Sequence, residues 1–207
     1  MTRRLTATAI IAIITVIVSL AAMWSGVNYW AVFGGFIPAR MSGQLLLQGA
    51  VPAVLTPWSS ALLHGSLLHL GVNILMLLFA GGQVERVIGK SGLFIAYLLG
   101  ALAAAAAQFA VDPSGTIPMV GASGAISALF GLYALFYGRP KQVTSNRRVN
   151  RGVHVLWLLV TWVVLQWMAG LLAGGQGVML ATPAHIGGFI AGLLFQRPLL
   201  LWRWRKA

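Results

Sequence analysis

The sequence contains no cysteine, which excludes a disulfide framework and every thiolate-based chemistry and leaves the redox compartment unread. Negative charge is nearly absent as well, for Glu85 and Asp112 stand against 14 basic residues. A chain that is 59% hydrophobic with so few acids is not an ordinary soluble domain, and its composition points to an all-α polytopic membrane protein. Neither a repeat of solenoid period nor a second, soluble domain is found, so residues 1–207 read as one unit.

What the chain does have is six long apolar stretches, near 5–27, 59–80, 92–111, 120–138, 153–173 and 182–202. Each is long enough to cross a hydrocarbon core of roughly 30 Å, which takes about 20 helical residues. A net charge of +12 would suggest nucleic acid if it formed a patch on a soluble surface. Here 13 of the 14 basic residues fall in the segments that six spans place on one side. They are Arg3 and Arg4; Arg86 and Lys90; Arg139, Lys141, Arg147, Arg148 and Arg151; and Arg197, Arg203, Arg205 and Lys206. The positive-inside rule makes that side, with both termini, cytoplasmic. The charge therefore reports topology in a lipid bilayer, and no nucleic acid partner is expected.

The opposite side carries only Arg40 and Asp112, and its one long loop, 28–58, is rich in Gly, Pro and aromatics. With almost no charge to solvate it, that loop is expected to lie in the membrane interface. The start "MTRRLTATAIIAIITVIVSLAAM" has the layout of a secretory signal. Its apolar run exceeds the usual signal core, so a retained first span is expected.

Polar side chains inside a membrane are costly, and each is a functional hypothesis. Five stand out: His64, His69 and Asn73 in the second span, Ser123 in the fourth and His185 in the sixth. Under the six-span topology all five share one layer toward the outer leaflet. Ser123, Ser127 and Gly131 form a small-residue stripe on the fourth span, and His185, Gly188 and Gly192 form another on the sixth. Two such faces allow a close approach of Ser123 Oγ to a His185 nitrogen. His69 and Asn73, four apart, point the same way; His64 lies roughly 140° round the helical wheel from His69 and need not reach the same point. A serine in a Gly-rich span is, taken alone, a packing residue. Trp157, Trp162 and Trp167 of the fifth span read as lipid-facing or packing residues, and His154 as an interface residue.

Other chemistries fit less well. The "HGSLLH" spacing lacks the two-ligand face and carboxylate of "HExxH", so no metal is expected. In "VERVIGKS" the first glycine of a phosphate loop would fall at Val84. A serine nucleophile with a histidine base uses most of the pieces: His185 takes the Ser123 proton and returns it to the leaving amine. No carboxylate shares that depth unless Asp112 folds in, so the pair is a dyad. Ser123 N–H at a helix start, with His69 and Asn73, supplies oxyanion donors.

These residues resemble the rhomboid intramembrane serine proteases. The resemblance covers 59–195 and rests on "HGSLLHLGVN", "GGQVERVIG" with Glu85, "LFIAYLLG" with Tyr97, "GASGAISALFG" with Ser123 and "AHIGGFIAGLLF" with His185, in this order. It implies a six-helix bundle, a Ser123 and His185 dyad, and an oxyanion site of Ser123 N–H, His69 and Asn73. It further implies water access from the outer side, no cofactor, and cleavage of membrane-protein substrates near the outer end of a transmembrane helix. In a bacterial plasma membrane the loop 28–58 would be the family's interfacial first loop and the fifth span its lateral gate. The chain departs from the family in two places. Ser127 stands where bacterial members often carry a Tyr that stacks on the histidine, so the imidazole must be oriented by something else. "VLTPWSS" replaces a Trp-Arg pair of the first loop. The alternatives are a non-catalytic rhomboid-like protein that binds transmembrane helices and, with less support, a small transporter, for which no inverted repeat or charged midplane site is found.

Overall fold

The computed structural model describes residues 5–172 and 181–205. Among these residues the structure is helical, with six principal helices: α1 (Ala7–Gly34), α2 (Leu67–Met76), α3 (Gly82–Val111), α4 (Ser123–Phe136), α5 (Arg147–Leu172) and α6 (Thr182–Arg203). A single π-helical turn, Leu77–Gly81, joins α2 to α3 without a loop. Four helical stretches are long and apolar enough to cross a membrane: Ala7–Gly34, Leu67–Val111, Arg147–Met168 and Thr182–Arg203. The apolar α4 is shorter.

The 45 residues of Leu67–Val111 would extend about 68 Å as one rod, roughly twice a hydrocarbon core. They do not form one rod. Gly89 has φ +75°, a backbone state open chiefly to glycine, and the chain reverses there. Before it, α2 brings His69 beside Gly121. After it, Ala103, Ala104 and Ala107 of α3 return to that same end and pack on Gly187 and Gly124. Arg203 lies against Gly89 at the far end.

That far end is tied by one of the two acids. The Glu85 carboxylate accepts from the backbone N–H groups of Ala7 at 2.8 Å and Thr8 at 2.9 Å, and from Thr8 Oγ1 at 2.7 Å. An anion there satisfies first-turn donors that have no helical partner and meets the positive end of the α1 dipole. Thr6 caps the same turn by accepting from Ala9 N–H.

Small residues bring α3, α4 and α6 together. A Cβ on Gly188 would overlap the Gly124 carbonyl, one on Gly192 the Ala128 carbonyl and one on Gly131 the Phe189 carbonyl. Gly100 meets Ala128 with the same lack of room. Every residue from Ser123 to Leu132 is buried, so α4 forms the centre of the bundle. Along the apolar part of α5, by contrast, only Trp162 and Gln166 are buried among the described side chains.

The expected boundaries shift in several places. The first helix runs past 27 to Gly34, bending at Gly26 with φ +124°, so the loop expected over 28–58 begins later. That loop holds one-turn helices at Pro38–Met41 and Thr56–Ser59, and it buries Phe36 and Ile37 where Phe36 pairs with Met119. The second helix starts at Leu67 rather than 59, because Ser66 caps it by accepting from His69 N–H. The fifth starts at Arg147 rather than 153, and residue 173, its expected end, lies outside the described residues.

Candidate active site

Ser123 is the first residue of α4, and Gly121, with φ +122°, makes the turn that precedes it. Gly188 and Ser127 in contact fix the spacing of α4 and α6 just below Ser123. At that spacing Ser123 Oγ lies 2.8 Å from His185 Nε2, and both residues are buried, Ser123 at 8% and His185 at 3% exposure. A hydroxyl at this distance can give its proton to a neutral imidazole nitrogen. The second ring nitrogen, His185 Nδ1, is buried with no hydrogen-bond partner. Asp112 is exposed in the α3–α4 loop beside Gly115 and does not join the pair. The arrangement is a serine–histidine pair without a carboxylate.

His69 and Ser123 Oγ flank one point. A Cβ on Gly121 would stand 2.8 Å from His69 Nε2 and 3.8 Å from Ser123 Oγ, so only glycine leaves that space open. Asn73 is fully buried one turn along α2, its Nδ2 donating to the His69 carbonyl at 2.9 Å while its Oδ1 has no partner. One Nδ2 hydrogen holds the helix; the other remains to be donated. Ser123 N–H, in the first turn of α4, has no helical carbonyl to reach. His69 and Ser123 thus border the cradle that Gly121 leaves open, and Asn73 lies one turn along α2 from His69.

His64 differs from the sequence expectation. It lies on the extended segment before α2 rather than on the helix, and its ring meets the His69 ring edge-on at 4.9 Å. Both its nitrogens are engaged. Ser19 Oγ donates to the Leu62 carbonyl at 2.8 Å, so toward His64 Nδ1, 2.9 Å away, the serine oxygen accepts and Nδ1 carries the proton. Nε2 is then the acceptor for Ala122 N–H at 3.3 Å. Through Ser19 and His64, α1 steadies the backbone next to Ser123. A lone serine in an apolar run gave no spacing signal for this role.

Trp162 is a packing residue, one of the two expectations for it, and it also makes a hydrogen bond that the sequence did not signal. It is buried, stacks on Phe130 at 4.3 Å and donates its indole N–H to Ser127 Oγ at 2.6 Å. Ser127 Oγ in turn donates to the Ser123 carbonyl at 2.7 Å. Trp157 and Trp167 remain largely exposed, as expected of lipid-facing residues, although Trp167 Nε1 reaches Thr182 Oγ1 at 3.1 Å.

Residues 53–202 match the family model described as Rhomboid domain, which is more than half of the chain. The chain belongs to the rhomboid family. Among curated relatives, this rhomboid is similar to Rhomboid protease GlpG of Pectobacterium atrosepticum, 35% identical over 138 residues, or 66% of this chain and 45% of that protein. It is similar also to Rhomboid protease GlpG of Yersinia pestis (strain Pestoides F), 32% identical over 136 residues with the same two coverages. The rhomboid chain therefore spans less than half the length of the curated relatives it matches. Ser123, His185, His69 and Asn73 all fall inside the residues matched by the family model.

Proposed function

We propose that this rhomboid is an intramembrane serine endopeptidase that uses Ser123 as nucleophile and His185 as base. The observation that carries the reading is the buried 2.8 Å contact between Ser123 Oγ and His185 Nε2 at the amino end of a helix. Membership of a family whose relatives are named proteases supports it.

As Ser123 Oγ attacks the carbonyl carbon of a peptide bond, its proton passes to His185 Nε2. The oxyanion that forms is held by Ser123 N–H, His69 and Asn73. The C–N bond then breaks, and His185 delivers the proton to the departing amine. Water attacks the resulting ester, giving its proton to His185, and Ser123 recovers its own as the acid leaves.

Six spans best accommodate the chain. The reversal at Gly89 divides Leu67–Val111 into two legs, and α4 adds a further crossing to α1, α5 and α6. With the basic segments cytoplasmic, the dyad lies toward the outer face of a bacterial plasma membrane, which the protein crosses several times. Its substrates are membrane proteins whose transmembrane helix carries a segment near that face that unwinds easily, rich in Gly, Ala, Ser or Pro.

The test is cleavage of such a model substrate by the purified protein in detergent, with Ser123→Ala and His185→Ala alongside. Both substitutions should abolish cutting. Undiminished cutting by either variant overturns the dyad. A chain that binds the substrate and leaves it intact would instead be the non-catalytic helix binder.

A further inference from the structure

Gln166 on α5 is 3% exposed, and its Nε2 is buried without a hydrogen-bond partner. An amide donor left unpartnered in an apolar interior is costly, and an aliphatic side chain of similar volume would avoid that cost. Two hydrogen bonds fix its height. Four residues earlier on the same face, Trp162 reaches Ser127, one turn below Ser123 on α4. One residue later, Trp167 reaches Thr182, three residues ahead of His185 on α6. Helix α5 runs antiparallel to both neighbours, so Gln166 stands between those two contacts, at the level of the dyad. Its face of α5 is the inward one, for Trp162 and Gln166 alone are buried along the apolar part of that helix among the described side chains.

We propose that Gln166 is a substrate-binding residue whose Nε2 donates to a main-chain carbonyl of the unwound segment next to the scissile bond. The proposal rests on the protease reading above. A peptide bond within a helix has its carbonyls committed to the turn that follows, and exposing one to Ser123 releases several of them at once beside the largely apolar inner face of α5, where few groups can donate to them. Unpaired acceptors on the substrate and an unpaired donor on α5 meet at one depth. Bound together, each relieves the other's cost. Ser123 chemistry itself does not need the amide, so Gln166 supplies binding common to ground state and transition state.

Gln166→Met and Gln166→Leu remove the donor and keep the bulk. With a model transmembrane substrate in detergent, KM should rise about five- to tenfold with kcat within about twofold of the parent, the size of one net hydrogen bond. Labelling of Ser123 by a small fluorophosphonate, which does not extend along a peptide, should keep its rate. The unfolding midpoint should stay or rise, since an unsatisfied polar group has been removed. An unchanged KM in both variants overturns the proposal. A lowered midpoint accompanying the KM rise also overturns it, by making Gln166 a structural residue. Failure of the parent protein to label or to cut removes the dyad reading first, and is thereby distinguished from failure of Gln166 alone.

Discussion

Trp162 on α5 and Ser127 on α4 share a buried hydrogen bond of 2.6 Å, and Ser127 passes the connection on to the Ser123 carbonyl. The small side chain at 127 that leaves the histidine without an aromatic neighbour on α4 is also what admits an indole from α5. The imidazole of His185 is held instead by its bond to Ser123 and by the tight seating of Gly188 against Gly124 and Ser127.

Ser127→Ala strands the Trp162 N–H in the interior, which should cost about 1–3 kcal/mol of stability. Trp162→Phe keeps a ring against Phe130 and leaves Ser127 bonded to Ser123, so its cost should be smaller. The double variant should be less destabilised than the two effects added. Unfolding midpoints in detergent measure all three, and strict additivity would mean that the bond contributes nothing.

His69→Ala and Asn73→Ala each remove a donor from the proposed oxyanion site. Loss of one oxyanion-hole donor lowers kcat by about 10²–10³ in a serine protease, and a fall of that order with little change in KM is expected here. Steady-state kinetics on a model substrate separates the two parameters. A rise in KM alone would reassign these residues to substrate docking.

Activity should increase with pH. Only neutral imidazole has the lone pair that accepts the Ser123 proton, so the rate falls as His185 is protonated on the acid side and levels once it is neutral. Initial rates in detergent across mildly acidic to mildly basic pH, with unfolding monitored in parallel, provide the check. A rate that falls as the pH rises, in folded protein, contradicts the base.

Glu85→Ala should loosen α1 without touching the dyad. Three hydrogen bonds to Ala7 and Thr8 are lost, two of them from first-turn N–H groups that no carbonyl replaces. Destabilisation of about 1–3 kcal/mol is expected, read from the unfolding midpoint, with the probe-labelling rate of the folded fraction preserved. Loss of labelling in folded protein would place Glu85 in the catalytic machinery.

The contact between Ser123 and His185 was legible in the chain because both residues obey a local rule: small residues four apart on two spans specify close helix packing, whichever loops connect them. The helical character followed in the same way from apolar length. His64 was misplaced because the second apolar run was read as helix from 59, although Ser66, three residues before His69, carries the helix-capping signal. Ser19, Glu85 and Trp162 act across 45, 78 and 35 residues of sequence, and no period or spacing encodes a contact of that kind. Only the packed bundle gives them partners.

The most direct measurement is covalent labelling of the purified protein with a fluorophosphonate probe, followed by mapping of the modified residue. The dyad predicts a single adduct on Ser123, absent in Ser123→Ala and strongly reduced in His185→Ala. An adduct elsewhere, or labelling that persists in Ser123→Ala, would contradict it.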